Sequence, residues 1–66
     1  MSQEFDYDVL DVNLKLLVEH AQAARDAFIM RDFERGFEEL IGAQCAVTAA
    51  KAQIQKHRSG ALPHQR

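Results

Sequence analysis

Apolar residues recur regularly along two segments of the chain. From Leu10 to Phe28 they alternate steps of four and three residues, and from Phe33 to Ile54 steps of three and four. This spacing places them on one stripe of an α-helix and is typical of helices that pack in bundles. The predicted hairpin seam comprises Leu10, Leu14, Leu17, Ala21, Ala24 and Phe28, followed by Phe33, Gly36, Leu40, Ala43, Val47, Ala50 and Ile54.

Good helix formers fill both segments, and polar residues mark where each begins. The first helix is predicted over about residues 8–30, with Asp6 or Asp8 as its N-cap. The second is predicted over about residues 33–57, with Asp32 as its N-cap. The short connection between them requires an antiparallel arrangement. The predicted fold class is therefore all-α, an antiparallel two-helix hairpin.

In such a hairpin, residues whose numbers sum to about 64 face each other. The ring of Phe28 then lies over Gly36, where the missing side chain leaves room for it. Ser59 and Gly60 are predicted to end the second helix. The chain thus divides into an N-terminal acidic segment (1–7), a helical hairpin (8–58) and a flexible C-terminal tail (59–66).

Each helix also carries a second apolar stripe beside its seam. The two stripes together cover roughly 200° of the first helix, whereas contact with one neighbouring helix uses a single narrow stripe. Surplus apolar surface marks an interface. We expect either a homodimer that forms a four-helix bundle or a contact with a larger protein. The predicted partner or dimer interface comprises Val12, Leu16, His20, Ala23, Ala27, Met30, Phe37 and Ile41.

Two polar residues, Asn13 and His20, lie within this apolar arc. A polar residue on a helical seam often fixes register at some cost in stability, and this is the role we predict for both. The alternative hypothesis is that His20 makes the interface sensitive to pH.

Length and cysteine content favour association and an intracellular setting. Chains of 66 residues bury too little surface to be comfortably stable alone. The single cysteine, Cys45, cannot form an internal disulfide and is predicted to be a buried or half-buried core thiol. The longest uncharged run is too short to span a bilayer. These features predict a cytoplasmic protein without membrane contact.

Charge is distributed unevenly, with no acidic residue after Glu39. The possible basic patch consists of Lys51, Lys56 and Arg58. The antiparallel arrangement predicts that Asp6, Asp8 and Asp11 lie near this patch and complement it.

Residue patterns for catalysis or cofactor binding are absent from the sequence. The three glycines are isolated, so no phosphate-binding loop is formed. His20, His57 and His64 share no ligand-like spacing with Cys45. We therefore predict no enzymatic activity, no small-molecule substrate, no cofactor and no metal.

Two known architectures resemble this chain. The stretch "RDFERGFEELIGAQ" (31–44) is similar to the turn and second helix of a tetratricopeptide repeat, in its Asp-aromatic-x-x-small-x-x-x-Leu run. The likeness supports the turn at this position. The whole hairpin resembles Rop, a plasmid-encoded RNA-binding regulator that dimerises into a bundle, in architecture but not in sequence motif.

The expected function is that of a small intracellular protein–protein interaction module. It would cover a surface on a larger protein, as an inhibitor, anti-activator, adaptor or co-chaperone. One alternative is a Rop-like dimeric nucleic-acid-binding regulator, for which the basic patch would be the contact. The other alternative is a small subunit of a larger helical assembly.

Overall fold

The structure is a computed structural model that describes residues 5–61. Over this range the chain forms two α-helices, α1 (Tyr7–Ile29) and α2 (Phe33–Ala61), packed against each other as a hairpin without any strand. The predicted all-α hairpin is confirmed, and both helices begin within one residue of the predicted positions.

Asp6 caps the start of α1. Its carboxylate oxygen Oδ1 accepts hydrogen bonds from the backbone N–H groups of Asp8 and Val9, at 3.1 and 3.2 Å. Of the two predicted caps, Asp6 is therefore the one used. Asp8 lies in the first turn, where its negative charge faces the positive end of the helix dipole.

A tight turn through Met30, Arg31 and Asp32 ends α1. The N–H of Arg31 donates to the carbonyl oxygen of Phe28 at 3.0 Å, and the N–H of Asp32 donates to that of Ala27 at 2.8 Å. These two bonds form a Schellman motif, which places the residue after the helix cap in the left-handed conformation. Arg31 is that residue, with φ of 63°.

Asp32 also starts α2. Its Oδ1 accepts a hydrogen bond from the backbone N–H of Arg35 at 3.1 Å, which confirms the predicted N-cap. The backbone N–H of Asp32 therefore contributes to the C-terminal cap of α1, and its side chain caps the start of α2. This connection is short enough to hold the helices antiparallel.

The end of α2 differs from the prediction. The helix continues through Ser59 and Gly60 to Ala61, four residues beyond the expected end at residue 57. A glycine inside a helix costs about 1 kcal/mol relative to alanine, which weakens a helix without ending it. The proline at position 63 is the stronger terminator in the sequence. Residues 1–4 and 62–66, with most of the predicted tail, lie outside the described residues.

Small residues form the contact between α1 and α2. No large side chain among the described residues is fully buried. At the turn, the ring of Phe28 lies over Gly36, where an added Cβ would be 2.5 Å from Cζ of the ring. The predicted Phe28–Gly36 contact is thus confirmed. The buried residues are Ala24, Ala27, Gly36, Ala43, Ala46 and Ala50.

The hairpin is long and thin, with principal extents of 51 × 25 × 10 Å. Its smallest dimension is about the diameter of one helix. Domains usually bury a core between two packed layers of secondary structure. Residues 5–61 form a single layer, and both broad faces of this layer are open over that range.

Candidate interaction surface

A polar cluster lies near the middle of the helix–helix contact. Nδ1 of His20 is 2.8 Å from Oε1 of Glu39, and Nε of Arg35 is 3.9 Å from the other oxygen of that carboxylate. The His20 ring lies over Gly42, where an added Cβ would be 2.7 Å from Cε1. Two aromatic rings on α1, those of Phe28 and His20, therefore each lie over a glycine of α2.

His20 was predicted to lie at a partner or dimer interface. Within the chain its ring contacts α2, because Glu39 offers a carboxylate and Gly42 leaves space for the ring, and its side chain remains 37% exposed. Asn13 is also half-buried on this side of α1. The sequence analysis did not identify Glu39 or Gly42 as functional partners. Both residues could have been found from the sequence, because the number of each, added to that of His20, gives nearly 64, as for residues that face each other in the hairpin.

Aromatic and amide groups pack at the open end of the hairpin. The rings of Phe5 and His57 lie 4.9 Å apart in an edge-on arrangement. The side-chain amide of Gln53 donates to the backbone oxygen of Asp6 at 2.9 Å. These contacts fasten the beginning of α1 to the last turns of α2.

The basic patch is exposed, and its predicted pairing with acids is not observed. Within the described range, no ion pair joins Lys51, Lys56 or Arg58 to the three aspartates expected to face them. At about 100° per residue, Lys51 and Arg58 share one side of α2, whereas Lys56 lies more than about 130° away from both. The patch therefore does not form one continuous basic stripe.

The predicted seam is divided between two environments. One half, including Ala24, Gly36 and Ala43, is buried between the helices. The other half is exposed, with Phe33 at 67%, Leu40 at 48% and Leu14 at 43%. We call this exposed half the heptad face, because its members recur every seven residues along each helix. It consists of Leu14 and Ala21 in α1 and of Phe33, Leu40, Val47 and Ile54 in α2.

The seam prediction is therefore corrected at these six positions. Alanines and glycines let the helices approach closely along one edge of the seam, so the neighbouring helix covers that edge only. Each exposed seam residue follows a residue of the helix–helix contact by four positions, which rotates it by about 40° around the helix axis. Leu40 follows Gly36 in this way, and Leu14 follows Leu10. Viewed from one end of the hairpin, antiparallel helices turn in opposite senses. An equal rotation in α1 and α2 therefore brings the exposed seam residues of both helices to the same broad face of the hairpin. Near the turn, the half-buried ring of Phe28 lies 5.9 Å from the ring of Phe33 on the heptad face.

A second apolar surface lies on the opposite side of the hairpin. Leu16 and Ala23 each precede by one position a residue of α1 that lies toward α2. This step rotates them by about 100° around α1, in the direction opposite to the heptad face. Leu16 is 42% exposed and Met30 is 77% exposed. We call this surface the second face; it consists of Val12, Leu16, Ala23 and Met30.

The other predicted interface residues lie elsewhere. Ala27, at 8% exposure, is buried between the helices and is unavailable to a partner. Phe37 and Ile41 are exposed, at 63% and 48%. At about 100° per residue, Phe37 lies beside the heptad face, whereas Ile41 lies with Cys45 and Ala52 on the edge of α2 that points away from α1. The residues predicted to form one interface therefore do not share one surface.

Neither a metal site nor a membrane span is found among the described residues. No cluster of three or more potential ligands occurs, and no helix combines the length and hydropathy needed to cross a bilayer. Cys45 is exposed rather than buried, because the contact with α1 runs through Ala43 and Ala46, on another side of α2. The features with functional potential are therefore the two apolar faces.

Comparison of the chain with protein-family models, curated proteins and solved structures found no match.

Proposed function

We propose that this chain is a small protein–protein interaction module that acts by packing its exposed apolar faces against other helices. One observation carries the proposal: the hairpin fully buries only alanines and one glycine and leaves most of its large apolar side chains exposed. A chain that folded for its own stability would bury the larger side chains, since each contributes about 1.5–3 kcal/mol when fully removed from water.

The second face is suited to a helix or an apolar groove on a larger protein. Val12, Leu16 and Met30 follow one side of α1 from its first turns to its end. Residues at such spacing are the anchors with which an amphipathic helix enters a groove. A module of this kind regulates its target by covering a surface, as an inhibitor, anti-activator or adaptor does.

Affinity capture from cells of the source organism tests this proposal. A tagged chain should retain a larger protein in fixed stoichiometry. Leu16→Glu should reduce that retention at least about tenfold, since a charge would be placed in an apolar contact. Gln22→Glu introduces the same charge on an exposed position of α1 away from the second face and is the matched control.

Circular dichroism should show equal helicity in both variants. Equal retention of the partner by Leu16→Glu and Gln22→Glu would contradict the assignment of the second face. Failure of the unmodified chain to retain any protein stoichiometrically would contradict the proposed function itself.

The exposed basic patch supports a second candidate, a nucleic-acid-binding regulator. Lys51 and Arg58 are exposed and, among the described residues, form no ion pair with the aspartates at the start of α1. Phosphate contacts make binding steeply dependent on salt. If this candidate is right, the chain should be retained on immobilised RNA or DNA at low salt, and Lys51→Glu with Arg58→Glu should abolish retention. Unchanged elution of that variant would reject it.

A further inference from the structure

The heptad face is complementary to a second copy of itself. In each helix, the position four residues after a heptad-face residue flanks that face. In α1 these flanking positions are Val18 and Arg25, and Asp11 continues the same row seven residues before Val18, so that an acid and a base lie on either side of a valine. If a second α1 lies antiparallel with Val18 against Val18, each Asp11 faces Arg25 of the other copy.

The same two-fold axis suits α2. The contacts of Phe28 with Gly36 and of His20 with Gly42 place Val18 at about the level of Gln44. The flanking positions of α2 around Gln44 are Phe37 and Lys51, again seven residues away on either side.

In the antiparallel dimer, Lys51 therefore reaches Phe37 of the second copy. A lysine stem and ammonium group pack favourably on an aromatic ring. Between the flanks, Leu40 meets Val47 of the other copy and Leu14 meets Ala21. Large side chains thus face smaller ones.

Charge near the turn selects between the two possible orientations. A dimer with both turns at the same end would also pair opposite charges, because Asp11 of one copy would face Lys51 of the other. That orientation would, however, bring the two turn segments together. Residues 25–39 carry five acids and three bases, a net charge of −2 for each copy. The orientation with turns at opposite ends keeps these like charges apart.

We propose that a second copy of this chain covers the heptad face, with its turn at the opposite end and Val18 against Val18 on the two-fold axis. The product is an antiparallel four-helix bundle. This inference rests on the proposed function in that it names the occupant of one of the two apolar faces. The second face stays on the outside of the dimer, free for a different protein.

Cross-linking across the axis tests the arrangement. Val18→Cys is made in the 66-residue chain carrying Cys45→Ser, so that the introduced thiol is the only one. Under air with a copper catalyst, the two thiols at the axis should form a disulfide, because their Cα atoms lie within bonding reach. The control is Glu19→Cys in the same background, one position further round α1 and facing solvent.

Sedimentation equilibrium should give twice the 7.5 kDa chain mass. The disulfide-linked dimer should form at least about tenfold faster for Val18→Cys than for Glu19→Cys when the axis passes Val18. A chain that stays monomeric at 100 μM (on the order of ordinary dimer affinities) overturns the proposal. A dimer in which the two variants cross-link equally slowly overturns the orientation.

Charge exchange gives an independent test that does not require a cysteine. Asp11→Arg should weaken dimerisation roughly three- to tenfold, since it creates two repulsive pairs with Arg25 of the other copy. Adding Arg25→Asp should restore the affinity. Absence of restoration would overturn the antiparallel pairing, since Lys51 would then be the residue that faces position 11.

The two proposals fail separately. If the chain is monomeric in these experiments but still captures a larger protein through Leu16, only the self-association is overturned. A stable dimer whose Leu16→Glu variant still captures the larger protein overturns only the function assigned to the second face.

Discussion

Arg31 holds the backbone conformation on which the turn depends. Its φ of 63° is left-handed, which costs an L-residue about 1–2 kcal/mol and costs glycine almost nothing. Arg31→Gly should therefore raise the free energy of unfolding by about 1 kcal/mol, after allowance for the greater freedom of glycine in the unfolded chain. Thermal unfolding followed by circular dichroism would measure the change.

Arg31→Ala is the matched control for this prediction. It keeps the left-handed strain and removes only the 3.3 Å hydrogen bond from the guanidinium to the carbonyl oxygen of Phe28. We expect its stability to stay within about 0.5 kcal/mol of the unmodified chain, as for most exposed positions. If the alanine variant were as stable as the glycine variant, strain at Arg31 would not be the cause.

Gly36 lies beneath the Phe28 ring, with 2.5 Å between an added Cβ and Cζ. Gly36→Ala should destabilise the hairpin, because overpacking costs about 1–3 kcal/mol and outweighs a gain of about 1 kcal/mol in helix propensity. In a Phe28→Ala background the same substitution should stabilise the hairpin by up to about 1 kcal/mol. A double-mutant cycle by chemical unfolding measures this reversal of sign. Additive effects would contradict the predicted contact.

The sequence predicted one of the two ring–glycine contacts and missed the other. Phe28 and Gly36 were paired because a ring at the end of one stripe faced a gap in the other. His20 was assigned to an outer surface, since its polar ring interrupts an apolar arc. What directs it inward is Glu39, a charged residue that periodicity alone assigns to solvent.

At the scale of elements, Asp32 links the two helices. Asp32→Ala removes the side-chain hydrogen bond to the N–H of Arg35, and the loss of an N-cap should lower the free energy of unfolding by about 1 kcal/mol. Asp32→Asn should retain most of the stability, since the amide oxygen can also accept this bond. Glu34→Ala controls for loss of a negative charge in the first turn of α2. A deficit in Glu34→Ala equal to that in Asp32→Ala would attribute the effect to charge.

Helix existence, helix starts and the antiparallel turn could be predicted from the sequence, because caps and 3.6-residue periodicity are local signals. The division of the seam could not. A stripe of alternating threes and fours is equally consistent with a seam between two helices and with the core of a bundle. The choice depends on the side chains along its two edges. Ala24, Ala43 and Ala50 permit close approach on one edge, and the larger residues are displaced to the other.

At the scale of the whole molecule, the hairpin resembles one half of a larger core. A layer 10 Å thick with an apolar heptad face on one side lacks the second layer that usually completes a domain. If a second copy supplies this layer, folding and association are a single equilibrium. The stability of the chain then depends on its concentration.

Thermal unfolding at several concentrations gives the last prediction. For two copies that unfold together, each tenfold rise in concentration should raise the unfolding midpoint by about 6 °C. A tenfold rise stabilises the dimer by about 1.4 kcal/mol, and dividing this by the usual unfolding entropy of the two chains gives the shift. Leu40→Glu, on the heptad face, should abolish this dependence and lower the midpoint, whereas Ala52→Glu, on an exposed side of α2, should leave the dependence intact. The concentrations from about 1 to about 100 μM cover ordinary dimer affinities. If the unfolding midpoint of the unmodified chain stayed constant over this range, the hairpin would be stable alone. Its exposed leucines and phenylalanines would then serve only a different protein.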